Sequence, residues 1–268
     1  MIEEKLKSKA ELIKNLSESW NESGIDRGDT VLIHSSLSRF LRSYKEEGIE
    51  ITPMDILDSF IEAAGTNGTL IFPTYNFEFT KGKTFDIRNS RSETGVLTEI
   101  ARLHSGFVRT GHPLFSFAVT GYHKDKFTDL NNYSAFGDDS PFAKLLELDG
   151  KIAALDVAGE YCMTFYHHVE EIERAVNRHD KIFKGEYIDI NGNESIREFN
   201  LYARNLEMKV ETDVQPMEEY LWSKGLYKGY RPGEGSCLHV IDARIVYDET
   251  VKIIREGKSL GMLYKIGK

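Results

Sequence analysis

The sequence predicts an α/β protein with a central mixed sheet, flanking helices and an added antiparallel hairpin. Two observations predict this class. Short apolar, β-branched segments alternate with segments of helical period through the first two-thirds of the 268 residues. From Lys181 onward this alternation stops, and two segments separated by a turn at residues 191–193 have the pattern of a hairpin.

Each element follows from local signals. Residues 2–21 and 242–256 carry apolar residues at helical spacing, and Pro53 and Pro141 stand at the early helical position that proline favours. Residues 79–93 are polar and aperiodic, which indicates a surface loop. The absence of a repeat or linker favours one domain over residues 1–268, or two closely packed lobes. The predicted helices cover residues 2–21, 53–64, 94–103, 141–148, 164–174, 217–224 and 242–256, and the predicted strands cover 30–34, 69–73, part of 107–121, 151–157, 184–190, 195–201 and 235–240.

The composition excludes several classes of function. No apolar segment approaches the roughly 20 residues that span a bilayer, and the charged N-terminus lacks the apolar core of a signal peptide, so we expect no membrane partner and a cytoplasmic location. Cys162 and Cys237 have no C-x-x-C spacing, which argues against a disulfide scaffold and a zinc site. The net charge of −9 disfavours a nucleic-acid partner and is compatible with a cationic substrate.

Residues 162–174 contain the strongest candidate for catalysis. Thr164 is a favoured N-cap residue, and a helix beginning there places His167 in its first turn, with Glu170 three residues later on the same face. The helix N-terminus disfavours an imidazolium and the carboxylate favours it, so the histidine pKa can stay near neutrality, where a general base works best. The alternative is a surface pair. A metal site would need a second such pair, which we do not find.

Two other segments follow predicted strands. Ser35, Ser36 and Leu37 form a turn whose backbone N–H groups can hold a phosphate or carbonyl oxygen, although an ordinary serine turn has the same pattern. The G-x-S-x-G elbow of a nucleophilic serine is missing. The turn at residues 111–113 and the following Ser116 offer hydrogen-bonding groups, with a structural role for His112 as the alternative.

Five ordered segments together resemble the aminoglycoside 3-N-acetyltransferase family. They read V-L-I-H-S-S-L-S (31–38), G-T-L-I-F-P-T-Y (68–75), R-T-G-H-P-L-F-S-F-A-V-T-G (109–121), S-P-F-A-K-L-L-E-L-D-G-K-I (140–152) and T-F-Y-H-H-V-E-E (164–171). The closing segment G-S-C-L-H-V-I-D-A-R-I-V-Y (235–247) is similar too, so the resemblance covers most of the chain.

The resemblance implies a coenzyme A-dependent N-acyltransferase that uses acetyl-CoA or another acyl-CoA and no metal. Its T-x-x-H-x-x-E motif corresponds to the catalytic candidates Thr164, His167 and Glu170. In the family, the loop after the first strand borders the acyl-CoA site, and other motifs line the cleft. The resemblance therefore implies that the acyl-CoA site of this chain contains Ser35, Ser36, Leu37, Thr74, His112 and Ser116.

This implication agrees with the chemistry of the residues. His167 would remove a proton from the acceptor amine, directly or through a water, and Glu170 would orient the imidazole. Donors near Ser35 and Ser36 would stabilise the tetrahedral oxyanion. A covalent route through Cys162 is the alternative to direct transfer.

The sequence leaves two classes of amino-sugar acceptor open. An aminoglycoside antibiotic is a polycation, whereas a nucleotide-linked amino sugar carries a diphosphate. The sequence departs from the family pattern around residues 154–160, and residues 78–91 and 184–201 match no motif, so the acceptor pocket is not defined. Carboxylates that would suit a polycation are Asp138, Asp139, Asp156 and Glu160. Cations that would suit a diphosphate, if they converge on the cleft, are Lys81, Lys83, Arg88 and Arg91.

Two hypotheses from other classes remain. A non-catalytic relative would bind coenzyme A or a sugar without turnover, and the intact T-x-x-H-x-x-E motif argues against it. A serine hydrolase would be labelled at Ser35 or Ser36 by a fluorophosphonate. A homodimer is expected only from the prevalence of two-fold assemblies.

Overall fold

A computed structural model describes residues 2–267, with side-chain surroundings from residue 9 onward. The order of helices and strands follows the predicted alternation. In chain order the elements are α1 (Ile2–Glu22), β1 (Thr30–Ser35), α2 (Leu37–Glu46), α3 (Pro53–Ala64), β2 (Thr69–Pro73), β3 (Phe85–Asp86), α4 (Val96–Leu103), β4 (Val108–Arg109), β5 (Phe117–Gly121), α5 (Pro141–Glu147), β6 (Lys151–Leu155), α6 (Gly159–Cys162), α7 (Phe165–Ile172), β7 (Arg178–Ile188), β8 (Glu194–Arg204), β9 (Val210–Thr212), α8 (Gln215–Ser223), β10 (Lys228–Gly229), β11 (Leu238–Asp242), α9 (Ala243–Arg255) and β12 (Tyr264–Ile266).

The main sheet is mixed, as the sequence predicts. Its strand order is β10-β11-β6-β1-β2-β5-β4. The central strands β6, β1 and β2 are parallel, and β11 and β5 flank them in antiparallel orientation. The carboxyl ends of the three parallel strands therefore lie at one edge of the sheet. In open α/β sheets, ligands bind outside such an edge where neighbouring connections diverge, and β1 occupies this position.

Both faces of the sheet are covered by apolar packing. Alternate residues of β1 point to opposite faces, so Val31 and Ile33 join one core while Leu32 joins the other. On the first face α1 packs on α3, and the Trp20 ring stacks on Phe60 with 5.0 Å between centroids. On the second face lie α5, α7 and α9. Helix α7 therefore packs into the core of this face through Phe165 and Val169.

The predicted hairpin exists but begins earlier than expected. Strands β7 and β8 pair from Arg178 opposite Arg204 to Ile188 opposite Glu194. Residues 178–183 include exposed charges on both faces, so they lack the apolar alternation that identifies a strand. The predicted loop at residues 79–93 is wrong in part, because Phe79 and Phe85 are buried and β3 pairs with β7.

Two helices differ from what the sequence predicts. Helix α2 was not predicted, since the serine-rich start of residues 35–38 has the composition of a turn. The predicted helix over residues 164–174 is shorter, because Arg174 adopts a φ of 52° and the Ala175 N–H donates to the Glu170 carbonyl at 2.8 Å. In the part of the chain that the structure describes, each helix is too short or too polar to cross a membrane.

Candidate active site

His167 lies in the first turn of α7, as the sequence predicts. Its side chain is 15% exposed, and Nδ1 lies 2.9 Å from Oε2 of Glu170, which is buried. The two residues are three positions apart on one helix, so their side chains meet on the same face. The pair is therefore positioned by a single rigid element.

Two further groups, together with His167, hold Glu170 in its ionised form. Asn177 donates through Nδ2 to Oε1 at 2.7 Å, and Nε of the buried Arg178 donates to Oε2. Burial alone would raise the pKa of Glu170, but Arg178, His167 and Asn177 together lower it. The carboxylate therefore has a partner for each oxygen and orients the imidazole.

The His167 pKa is lowered from its ordinary value of 6.5. Burial is the main cause and the Arg178 cation the second, while Glu170 acts in the opposite direction. A guanidinium only donates hydrogen bonds, and its Nη2 lies 2.7 Å from Nδ1 and 3.2 Å from Nε2. Nδ1 cannot both accept from this guanidinium and donate its own proton to Glu170. In the tautomer that donates Nδ1–H to Glu170, the lone pair of Nε2 is the one that can accept a proton. The lowered pKa keeps the imidazole neutral near pH 7.

The first of two cavities beside His167 lies at the carboxyl ends of β1 and β2 and has a volume of about 840 Å³. We name it the strand-end cavity. The start of α2 forms one wall, the start of α4 another, and α7 a third. Residues that define it are Ser35, Ser36, Leu37, Thr94, Thr164 and His167.

The start of α2 presents hydrogen-bond donors to the strand-end cavity. The Ser36 N–H donates to the Leu155 carbonyl at 2.9 Å, and its hydroxyl caps no helical N–H. The N–H groups of Leu37 and Ser38 precede the first intrahelical bond, and no acceptor for them occurs among the described residues. The first turn also contains no carboxylate. This wall is therefore suited to an anionic or carbonyl oxygen.

A second cavity lies on the other side of His167 beneath the hairpin, with a volume of about 650 Å³. We name it the hairpin cavity. His167 and Phe115 line both cavities, and the Phe136 ring contacts the imidazole with 5.3 Å between centroids. Residues that define the hairpin cavity are Phe115, Phe136, His167, Lys181, Phe183 and Arg204. His167 therefore stands where the two cavities meet.

Thr164 lines the strand-end cavity but does not cap α7 as predicted. It adopts a helical conformation, and its hydroxyl makes no cap bond. Instead Oγ1 lies 2.8 Å from the Tyr75 hydroxyl, another wall residue. Burial raises the pKa of Tyr75 well above its ordinary value, so the phenol stays neutral. Thr164 therefore connects α7 to the segment after β2.

Thr74, His112 and Ser116 are fully buried and line neither cavity. The hydroxyls of Thr74 and Ser116 lie 3.0 Å apart. His112 Nδ1 accepts from the Phe115 N–H at 3.2 Å, and Nε2 lies 3.2 Å from the Asn200 carbonyl. Burial lowers the His112 pKa to about 3. Their binding of acyl-CoA stays a prediction, and the contacts they make position the turn that carries Phe115.

The charged groups expected at the acceptor lie elsewhere. Lys81 and Lys83 both pair with Glu78, while Arg88 pairs with Asp86. Asp156 binds the Arg39 guanidinium. Neither set therefore converges on the two cavities, and a role for either at the acceptor stays a prediction. The residues that line neither cavity are Lys81, Lys83, Arg88, Arg91, Asp138, Asp139, Asp156 and Glu160.

Sequence reasoning missed an important feature of this site, Arg178 with Asn177. Both are separated from Glu170 by the left-handed turn at Arg174, which no pattern of residues indicates. A polar Asn-Arg pair at the start of β7 was the only signal in the sequence. It is weak, because such pairs are usually exposed.

Comparison with known proteins decides the family. The model of the aminoglycoside 3-N-acetyltransferase family matches residues 32–255, most of the chain. The chain belongs to this family. The resemblance found in the sequence is thereby confirmed.

Two members of the aminoglycoside 3-N-acetyltransferase family are similar in sequence. Aminoglycoside N(3)-acetyltransferase VII of Streptomyces paromomycinus is 27% identical over 57% of this chain and 57% of its own length. Aminoglycoside N(3)-acetyltransferase IV of Salmonella sp is 29% identical over 66% of this chain and 64% of its own. Each match thus spans less than two-thirds of the relative.

Solved structures of the family share the fold. Aminoglycoside acetyltransferase AAC(3)-Xa superimposes with a TM-score of 0.76 at 22% identity, covering 93% of this chain and 98% of that one. AAC-IIIb, solved as a binary complex with CoASH, gives 0.77 at 19% identity, with coverage of 91% and 96%. The α/β fold with a central mixed sheet is confirmed.

Proposed function

We propose that this chain is an acyl-CoA-dependent N-acyltransferase that transfers an acetyl or other short acyl group to an amine of an amino sugar. The observation that carries this proposal is the position of His167, backed by Glu170 and shared by two cavities. Such a base suits a reaction in which a thioester and an amine approach from opposite sides. The CoASH complex of AAC-IIIb supports acyl-CoA as the donor.

Acyl-CoA would occupy the strand-end cavity. The free N–H groups at the start of α2 would receive the thioester carbonyl or a phosphate oxygen. The serine hydroxyls of residues 35 and 36 line the same wall. The volume of about 840 Å³ lies within the range of cofactor sites, and the position agrees with the strand-end rule for α/β sheets.

The transfer step needs one base and one group of oxyanion donors. The acceptor nitrogen, as a free amine, bonds to the acyl carbon and gives a proton to Nε2 of His167. The oxyanion that forms is stabilised by the donors of α2, and Glu170 stabilises the imidazolium. The C–S bond then breaks, and the departing thiolate takes the proton back. The products are an amide and free CoA thiol, and His167 is neutral again.

Two acceptor classes satisfy this chemistry. Relatives named aminoglycoside N(3)-acetyltransferases, and structures of similar enzymes with sisomicin or a gentamicin, support a polycationic aminoglycoside. A nucleotide-linked amino sugar presents the same primary amine together with a diphosphate. In both cases the amine would enter through the hairpin cavity.

The test is thiol release from acetyl-CoA in the presence of a panel of amines, namely aminoglycosides, simple amino sugars and nucleotide-linked amino sugars. We expect at least one amine to release thiol and to gain an acetyl group by mass spectrometry. Acetyl-CoA binding without release by any amine would support the non-catalytic alternative. Labelling of Ser35 or Ser36 by a fluorophosphonate would instead indicate a hydrolase.

A further inference from the structure

We infer that the acceptor amine carries an anionic group, a phosphate or diphosphate, which the hairpin cavity binds through Lys181 and Arg204. The inference rests on the proposed acyl transfer and names its acceptor class. It follows from the charged residues that line this cavity and from the partners that the nearby carboxylates already bind.

Lys181 and Arg204 reach the cavity from the two strands of the hairpin. Lys181 pairs in register with Leu201, which also lines the cavity, and Arg204 ends β8. Both side chains are exposed, and neither forms an ion pair with any residue from 9 to 267. Two cations thus stand at the cavity with no ion-pair partner among the described residues. Arg204 is close enough to His167 to help lower its pKa.

Carboxylates at the hairpin cavity are too few to hold a polycation. Among the described residues that line it, Glu207 alone is acidic. Glu170 lies behind His167, but Arg178, Asn177 and the imidazole use both of its oxygens. An aminoglycoside bears several ammonium groups, each of which would meet cations here. A phosphate would instead be attracted by the same cations, because cationic donors bind phosphate through charge-assisted hydrogen bonds.

The apolar part of the cavity indicates what accompanies the anion. Phe115 and Phe136 form an edge-to-face pair with 4.6 Å between ring centroids, and Phe183 lies under Lys181. Ligand pockets typically combine apolar and aromatic walls with a few placed polar or charged groups, and a phosphorylated sugar or nucleotide would suit this lining. The amine would then lie at His167 and the phosphate towards the hairpin.

The experiment compares four acceptors with the whole protein and saturating acetyl-CoA: glucosamine, glucosamine 1-phosphate, UDP-glucosamine and gentamicin. We expect kcat/KM at least about tenfold higher with a phosphorylated acceptor than with glucosamine, and lower still with gentamicin. A preference for glucosamine 1-phosphate would identify a sugar phosphate, and one for UDP-glucosamine a nucleotide sugar. Equal rates for all sugars, or a preference for gentamicin, would overturn the inference.

Charge variants test the residues themselves. Arg204→Gln and Lys181→Gln should each reduce the ratio of kcat/KM for phosphorylated over unphosphorylated acceptor by about three- to tenfold, mainly through KM. Lys184→Gln is the matched control, because Lys184 lies on the same strand, pairs with Glu198 and does not line the cavity. It should leave the ratio unchanged. An unchanged ratio in both cavity variants would contradict the inference.

Failure of the proposed function would look different. If no amine releases thiol, calorimetry with saturating free CoA still measures whether glucosamine 1-phosphate binds more tightly than glucosamine, and whether Arg204→Gln removes the difference. Tighter binding without turnover would refute the transferase and keep the anion site. Turnover without a phosphate preference would keep the transferase and refute the anion site.

Discussion

Oε2 of Glu170 lies 2.9 Å from Nδ1 of His167, and the same carboxylate binds the guanidinium of the buried Arg178. One anion therefore orients the imidazole and balances a cation. The imidazole is kept neutral by burial and by Arg178, and Glu170 lies where it would stabilise an imidazolium. This arrangement suits the general-base role that we propose for His167.

Glu170→Gln should reduce both activity and stability. The amide preserves the shape of the carboxylate but removes its charge, which leaves Arg178 buried without a counter-ion and the imidazolium unsupported. Loss of one partner of a buried pair costs about 3–5 kcal/mol. We expect kcat to fall by roughly 10² or more, the lower end of what acid–base catalysis contributes, together with a lower Tm.

Glu171→Gln is the matched control, because the adjacent carboxylate is also buried and binds the Ser134 hydroxyl rather than His167. It should keep kcat within about threefold of the wild-type value. Equal losses of kcat in the two variants would show that Glu170 acts only through the stability of the helix.

The pH dependence of activity should reveal the lowered pKa of His167. The base works only when neutral, so kcat/KM falls as pH drops through its pKa, and the midpoint of this acid limb should lie below 6.5. Arg178→Met removes a cation that lowers the pKa, so the limb should move to higher pH. A limb unchanged by this substitution would remove Arg178 from the electrostatics of the base.

Cys162→Ala should retain most of the turnover. Cys162 lines the strand-end cavity, but burial raises its thiol pKa well above the ordinary range, and the sulfur donates to the Ala158 carbonyl. A neutral thiol is a poor nucleophile, so direct transfer is favoured over an acyl-cysteine. Intact-protein mass spectrometry after acetyl-CoA alone should detect no acetyl adduct on the wild type. Detection of one that Cys162→Ala abolishes would establish the covalent route.

Four buried histidines should make the fold sensitive to acid. Burial lowers the pKa of His34, His168 and His239 to about 4 and of His112 to about 3, from 6.5. Because the folded pKa values are depressed, the unfolded chain binds more protons below pH 6.5. Stability is then fully present above pH 6.5 and decreases as pH falls, by up to about 1.4 kcal/mol per pH unit for each histidine.

Urea unfolding at pH 7.5, 6 and 5 measures this dependence. We expect the free energy of unfolding to fall by several kcal/mol between pH 6.5 and 5, an order of magnitude set by those slopes. The raised pKa of Glu218 opposes part of the change, since that group takes up a proton more readily when folded. A free energy that is constant over this range would mean that the histidines are solvated.

The architecture could be predicted because it depends on local periodicity. Segments such as residues 30–34 and 69–73 are apolar throughout, as strands buried on both faces must be, and they form β1 and β2. The His167–Glu170 relationship is likewise local, since three residues on a helix fix it. These parts of the site needed no knowledge of tertiary contacts.

The rest depends on packing between distant segments. Arg178 reaches Glu170 only because the chain reverses at Arg174, and Lys181 and Arg204 share a cavity only through the register of β7 with β8. His112 was predicted to bind the cofactor because it stands in a family motif, whereas in the structure its side chain is fully buried. Helix α2 was missed because the serines at its start have the composition of a turn, although Leu37, Phe40, Leu41 and Tyr44 follow at helical spacing.

The most direct test is the rate of acceptor-dependent thiol release by His167→Ala at saturating acetyl-CoA, with the Kd for CoA measured by calorimetry. The account predicts that kcat falls by about 10²–10⁴ while the Kd stays within about twofold of the wild-type value, because the imidazole acts on the amine. A variant that binds CoA normally and retains a kcat within about tenfold of wild type would contradict the role of His167 as the base.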